Sequence, residues 1–477
     1  MSFTSIEFIV FLGLCLGLFL GTGRPSVQRW LLIVFSYFFY LISGLDGVLI
    51  ITLLSFVDFY VGRRLGISSN DATARRWLWA GLAANLGALG FFKYSVFLAE
   101  TIAAAVDPLG VRVWVPGHPL LQIIGLSYFS FAGMSYLLDI YYGRMEPSHS
   151  LSEYVCYLVY FPKLVAGPIV RAADLLPQLK RGIRPTVQDL EIGCAYFLVG
   201  AVKKLVIADQ LSSHVSMILA GPQHYNALTL VQGLVGYTVQ IYADFSGYSD
   251  MAIGCARLMG YKFPQNFLMP YSSVNIAEFW RRWHVTMSTW FRDYVFLPLE
   301  INSRGMRNAN VRASRNVIVT MLLCGLWHGA SWNFVLWGGL HGVALAVYQV
   351  YASVRRRVHR GTRSVFHPRT LAARALTLSV VMLGYVFFGT RTLTMAFTYL
   401  WRMLTWSGDG VALGSPYIVP LVALMLVVHL FVDKDRNLVE EVVTYSVPAR
   451  VLTYATLLLV LTSLVPSEAV PFVYVQF

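Results

Sequence analysis

Five of the ten histidines, His118, His149, His224, His359 and His367, lie in polar connections where a solvated imidazole needs no explanation. Three sit differently. His284 lies in EFWRRWHVTMSTWFRDY, and His328 and His341 lie in CGLWHGASWNFVLWGGLHG, flanked by apolar sequence. A neutral imidazole near pH 7 is the commonest general base, although a lone histidine in an apolar helix more often packs and hydrogen-bonds. The neighbours of His328 favour chemistry. Gly325, Gly329, Ala330 and Ser331 thin the chain around it, so that a ligand or a second backbone can approach. Trp327 and Trp332 offer apolar walls that would keep the ring uncharged.

The segment YADFSGYSDMAIG places Asp244 and Asp250 six residues apart around two glycines. Paired carboxylates suit acid/base work, a metal or structural anchoring. Metal is the weakest option, since no histidine lies at ligand spacing and no H-E-x-x-H occurs. Asp244 reads best as a structural or histidine-orienting carboxylate. In RRWH and beyond, Arg281, Arg282 and Arg292 suit either a snorkelling face at the inner membrane surface or a grip on the phosphates of a nucleotide-like donor. Trp280, Trp283 and Trp290 favour an interfacial position in both cases.

The elements that hold these residues are membrane helices. The apolar set makes up 57% of the chain and charged residues 13%, against roughly half and a quarter in soluble domains. Apolar runs of about 17 to 25 residues recur along its whole length. An all-α, polytopic fold of about 9–11 transmembrane helices is expected. The surplus of 37 − 24 = 13 positive charges then marks cytoplasmic loops and not nucleic-acid binding. Five scattered cysteines without a C-x-x-C indicate neither disulfides nor zinc.

Arg24 and Arg29, then Arg63, Arg64, Arg75 and Arg76, assign the first two basic connections to the cytoplasm and the N-terminus to the outside. Residues 154–170 are interrupted by Pro162 and Lys163 and followed by Arg171, Lys180, Arg181 and Arg184. That pattern predicts a re-entrant segment, tolerated only where protein buries it or a cavity runs beside it. Stretches 190–210 and 275–301 are likewise broken by charge. The basic connection 355–369 should be cytoplasmic, and the tail 466–477 external. The chain reads as one membrane-embedded domain, with N-terminal helices over 1–140, a core over 150–350, C-terminal helices over 371–465 and an aromatic tail over 466–477.

The order GPI (167–169), DFSGYSDMAIG (244–254), EFWRRWH (278–284) and GLWHG (325–329) resembles the membrane-bound O-acyltransferase family, and within it the bacterial branch that includes the alginate O-acetyltransferase membrane subunit. KYSVF (93–97), GLSYFSF (125–131) and KKLVIAD (203–209) extend the likeness over nearly the whole chain. The resemblance implies a ring of helices around a thinned centre, with a funnel for a cytoplasmic acyl donor. It implies that His328 is the catalytic base and His284 the second functional histidine. Arg281, Arg282, Trp283, Asp244, Asp250 and Trp327 would line the donor path, and Asn333 or backbone amides near Gly329 would stabilise an oxyanion.

The implied activity is O-acetyl transfer from acetyl-CoA, used as co-substrate with no tightly bound cofactor or metal, to an extracytoplasmic polysaccharide such as alginate or cellulose. The setting would be a bacterial inner membrane with both termini periplasmic. With connections no longer than about 20 residues, delivery to polymer would need a periplasmic acetyltransferase partner of the SGNH type. D-alanyl or other acyl transfer to teichoic acid, peptidoglycan, lipid or protein, with an acyl carrier protein as donor, is the alternative within the family. A non-enzymatic polysaccharide exporter is the alternative outside it. The tail PFVYVQF (471–477) is similar to the aromatic C-terminal motif of bacterial acyl exporters, which implies Tyr474 as an acyl carrier. An interfacial aromatic anchor fits it equally well, and Val475 departs from the aromatic residue the motif often has there.

Overall fold

The structure, a computed structural model, describes residues 1–117, 121–303, 305, 308–355, 367–432, 436–465 and 470–472. His118, His359, Tyr474 and most of the basic 355–369 connection lie outside them. The described residues are helical throughout, apart from turns, extended connections and one isolated bridge between Tyr225 and Val411. The chain groups into two compact units, Met1–Phe197 with Ser249–Pro264 and Leu198–Tyr248 with Gln265–Phe477.

Four described helices are long and apolar enough to cross a membrane: Leu45–Gly66, Trp332–Val354, Pro368–Gly389 and Val447–Leu464. Asp71–Phe92 and Ser95–Leu109 make a fifth candidate, bent by 69°. Ile6–Gly21 and Ile418–Phe431 are shorter apolar helices. The larger number expected from apolar runs included stretches that are broken into shorter pieces or carry charge, such as Leu151–Val159 followed by Phe161–Leu164. The helix Val447–Leu464 leaves its whole apolar window unburied, and Ile6 and Val419 are 80% and 76% exposed. Surfaces of that kind are stable facing lipid, not water.

In the first unit, Ser5 and Asn70 cap their helices by accepting backbone N–H groups, and Pro25 opens the second helix, where a missing N–H costs nothing. A charge in mid-span needs partners. Asp58 is fully buried and accepts from Asn85 Nδ2 at 2.8 Å and Tyr154 Oη at 3.1 Å, tying three helices together. The interrupted stretch behaves as its proline predicts. Leu151–Val159 ends at Tyr160, a short helix covers Phe161–Leu164, and bends and irregular chain follow to Val170, with nearly every residue buried. Lys163 lies with its ammonium 4.4 Å from the Tyr157 ring centroid and 3.5 Å from the Leu158 carbonyl.

In the second unit the chain enters through a π-helical turn, Val202–Ala208, and continues in Asp209–Ala220. Short helices Ile276–Trp280 and Val285–Phe291 lead to a tight helical hairpin, Ala309–His328 with Trp332–Arg355. The hairpin and Pro368–Gly389 carry the site.

Candidate active site

Asn308 starts the first arm of the hairpin by accepting from the N–H groups of Asn310 and Val311. The arm ends at His328 because Gly329 is fully extended. The arms approach through glycine: a Cβ on Gly325 would collide with the Phe334 carbonyl, and one on Gly338 with the Met321 carbonyl. The small residues around His328 therefore admit a second backbone. His328 is 4% exposed and caged edge-on by three aromatic rings, Trp327 and Trp337 at 4.9 Å and Phe388 at 5.2 Å between centroids. Trp332, expected as a wall, is 49% exposed. Trp337, a turn and a half along the same helix, takes its place.

His284 is fully buried and has left-handed backbone, φ 43° and ψ 56°. A non-glycine residue holds that conformation at a cost, about 1–3 kcal/mol, only where its surroundings impose it. Asn266 imposes it here. Its backbone carbonyl accepts from Val285 N at 2.9 Å, and its Oδ1 accepts from the Thr286 hydroxyl at 2.9 Å and from His284 Nδ1 at 3.0 Å. With Asn266 Oδ1 an acceptor to Thr286, the ring proton of neutral His284 belongs on Nδ1 and the lone pair on Nε2. The ring packs against Phe245 at 4.7 Å and Trp327 at 5.9 Å. Trp327 thus touches both histidines. His341, fully buried one turn beyond Trp337, meets Trp337 at 4.9 Å and Trp280 at 5.3 Å. Indoles and imidazoles alternate from His284 to Trp280.

Asn266→Ala would leave the Thr286 hydroxyl and His284 Nδ1–H buried without their acceptor, at about 1–3 kcal/mol. Thermal unfolding of the purified protein should show a lowered Tm, and Asn266→Asp, which keeps an acceptor oxygen, should restore most of it. An unchanged Tm in Asn266→Ala would remove Asn266 from this role.

Asp244 is held by a lysine. It receives a hydrogen bond from Lys204 Nζ at 2.7 Å, and the same ammonium reaches Asp209 at 2.8 Å. Asp250, about 240° further round the same helix, faces another way and belongs to the first unit. Arg282 is buried, bonded to Glu278 and to Met269 and Ser272 of the preceding turn. It braces that turn instead of offering a free guanidinium. Arg281 is exposed, and Arg292 pairs with Asp293 at 2.9 Å. Trp280, Trp283 and Trp290 are 7%, 2% and 5% exposed, so none is an interfacial anchor. Trp283 packs among Phe279, Phe267 and Tyr385. Asn333 donates to the Thr390 carbonyl at 2.8 Å and the Phe387 carbonyl at 3.2 Å. Both amide hydrogens fasten the hairpin to Pro368–Gly389, which removes Asn333 as an oxyanion donor.

Asn266, Lys204, Asp209, Trp337 and Phe388 were not among the residues expected from sequence. Neither was His429, which meets Tyr242 edge-on, stacks with Tyr271 and donates from Nδ1 to the Met425 carbonyl. Tyr474 lies outside the described residues, but Pro471 and Phe472 do not. The Pro471 carbonyl is 3.5 Å from Lys204 Nζ, and Phe472 is buried 4.4 Å from that ammonium and 4.7 Å from the Tyr248 ring.

Residues 144–381 match the membrane-bound O-acyltransferase family. The chain is 37% identical over 400 residues to the probable alginate O-acetylase AlgI of Azotobacter vinelandii, covering 83% of this chain and 76% of that one. It is 31% identical over 418 residues to the peptidoglycan O-acetyltransferase of Helicobacter pylori, covering 81% and 75%. A more distant relative, the teichoic acid D-alanyltransferase of Bacillus subtilis, is 26% identical over 312 residues, covering 61% and 77%.

Proposed function

Because this chain belongs to the membrane-bound O-acyltransferase family, we propose that it is the acyltransferase that takes an acetyl group from cytoplasmic acetyl-CoA and passes it across a bacterial inner membrane for O-acetylation of an extracytoplasmic polysaccharide. The two relatives named for O-acetyl transfer, one to alginate and one to peptidoglycan, favour acetyl as the group and a glycan hydroxyl as its destination. The observation that carries the reading is His328: a buried imidazole at a helix end, caged by Trp327, Trp337 and Phe388, inside the GLWHG motif.

A neutral imidazole is the commonest general base near pH 7. His328 takes the proton from the attacking hydroxyl as its oxygen adds to the thioester carbonyl. The tetrahedral intermediate collapses by breaking the C–S bond, and the proton passes from His328 to the departing CoA thiolate. His284, its tautomer set by Asn266, presents Nε2 as an acceptor that orients the hydroxyl. Trp327, in contact with both rings, holds them in register.

In this reading Tyr474 is the first acceptor. Its phenol oxygen forms an aryl ester, and a periplasmic acetyltransferase partner of the SGNH type moves the acetyl group to the polymer. Two residues before Tyr474 in sequence, Phe472 sits against Lys204 and Tyr248, which favours this segment as the acceptor. Protein incubated with acetyl-labelled acetyl-CoA and trapped in acid should carry label on the C-terminal peptide, and Tyr474→Phe should abolish it. Label retained in Tyr474→Phe would exclude the tyrosine as carrier.

A further inference from the structure

Arg282 is bound to Glu278, so of the two arginines of RRWH only the exposed Arg281 has its guanidinium outside an ion pair with Glu278. A basic cleft in the first unit offers cations. Three loops meet there by close contact. A Cβ on Gly23 would collide with the Arg184 guanidinium, one on Gly182 would collide with the Pro25 ring, and one on Gly260 would lie 2.6 Å from Ile183 Cγ2. With the first turn of Val187–Ala201 they enclose a cleft of about 550 Å³ lined by Arg184, Arg257, Lys262, Gln178, Thr186 and Asp189, among others. That volume is within the range of small-molecule sites.

The lining carries three cations and one carboxylate, and the carboxylate is engaged. Asp189 accepts from the Thr186 N–H and hydroxyl at 3.0 and 2.8 Å and pairs with Arg257 Nε at 3.1 Å. Arg184 and Lys262 form no ion pair with described residues, although the Lys262 charge is felt by Asp189, and both are exposed. Gln178 fixes the rim by a reciprocal clamp on the Lys262 backbone, accepting from its N–H at 2.8 Å and donating to its carbonyl at 3.1 Å. The flanking sequence adds Arg24, Lys180 and Arg181. This concentration of cations is what the positive-inside bias assigns to the cytoplasmic face.

We propose that this cleft binds the phosphate-bearing nucleotide head of the acyl-CoA donor, with Arg184 and Lys262 contacting phosphates and Arg257, oriented by Asp189, completing the charge. The inference rests on acetyl-CoA being the donor. A 3′-phosphate and a pyrophosphate on one ligand complement a cluster of cations set on rigid loop contacts, and charge-assisted bonds of this kind are among the stronger ones.

The test uses the full chain in phosphatidylcholine nanodiscs and an Arg184→Ala/Lys262→Ala variant. Adenosine 3′,5′-bisphosphate should bind the parent and bind the variant at least tenfold more weakly. The parent's preference in kcat/KM for acetyl-CoA over S-acetylpantetheine, which lacks those phosphates, should shrink by a similar factor. Equal bisphosphate binding by both forms, or none by either, would overturn the proposal. So would an equal loss on both thioesters, which marks a structural defect, or a variant that loses only affinity for phosphatidylglycerol nanodiscs, which marks a lipid site. Bisphosphate binding confined to the parent, with no acetyl-CoA consumed, would uphold the cleft and refute the donor reading.

Discussion

Replacing His328 with alanine is expected to lower acetyl transfer by about 10²–10⁴-fold, the usual worth of a positioned general base, while the protein remains folded in the membrane. The ring makes edge contacts with Trp327, Trp337 and Phe388, so its removal loosens an aromatic cage. Glycine-mediated backbone contacts at Gly325 and Gly338, not the imidazole, hold the hairpin together. Expression and Tm should therefore change far less than the rate. His328→Gln, which fills the cage with a group that is not basic, should be as inactive as the alanine form and closer to the parent in Tm. Matched losses of rate and stability across the two variants would make His328 a packing residue.

Lys204→Met should give the largest loss of stability. Lys204 is 1% exposed and holds Asp209 and Asp244 at 2.8 and 2.7 Å. Removing the cation leaves two buried carboxylates facing each other, and breaking a buried ion pair from one side costs roughly 3–5 kcal/mol. A fall in Tm and in yield is expected, together with release of the tail, because the same ammonium contacts Pro471 and Phe472. Limited digestion with carboxypeptidase should shorten the variant faster than the parent. Neutralising the partners as well, in Lys204→Met/Asp209→Asn/Asp244→Asn, should recover most of the stability. A triple variant no more stable than Lys204→Met would mean that charge imbalance is not the cause.

The apolar runs marked the membrane helices, and the proline in 154–170 marked a broken, buried segment, because both follow from local composition. The WHG and RWH motifs located the two histidines. The partners of these residues were not legible, since they are set by packing between distant segments. Asn266 precedes His284 by 18 residues in an irregular connection, and nothing local distinguishes it from a turn asparagine. Lys204 lies 40 residues from Asp244 and meets it across a π-helical turn that no periodicity announces. Trp332 and Trp337 are indistinguishable in composition; only the rotation of their helix puts the second against His328.

One partner was legible in the sequence. Glu278 stands four residues before Arg282, the spacing of a helical ion pair, and it accounts for the buried guanidinium without any phosphate. The basic cleft was legible in part. The arginines and lysines after residue 170 marked a basic connection, but their meeting with Lys262 depended on a turn at Gly260, where φ is +82°.

The decisive measurement supplies acetyl-labelled acetyl-CoA to inverted membrane vesicles that contain either this protein or its His328→Ala form and are loaded with a periplasmic fraction, and follows free CoA and label on protein and polymer. CoA release and labelling that require His328 are the predicted result. No CoA release from either form, with both folded and the periplasmic fraction present, would contradict acetyl transfer from acetyl-CoA and turn attention to a carrier-protein donor or to polymer export without chemistry.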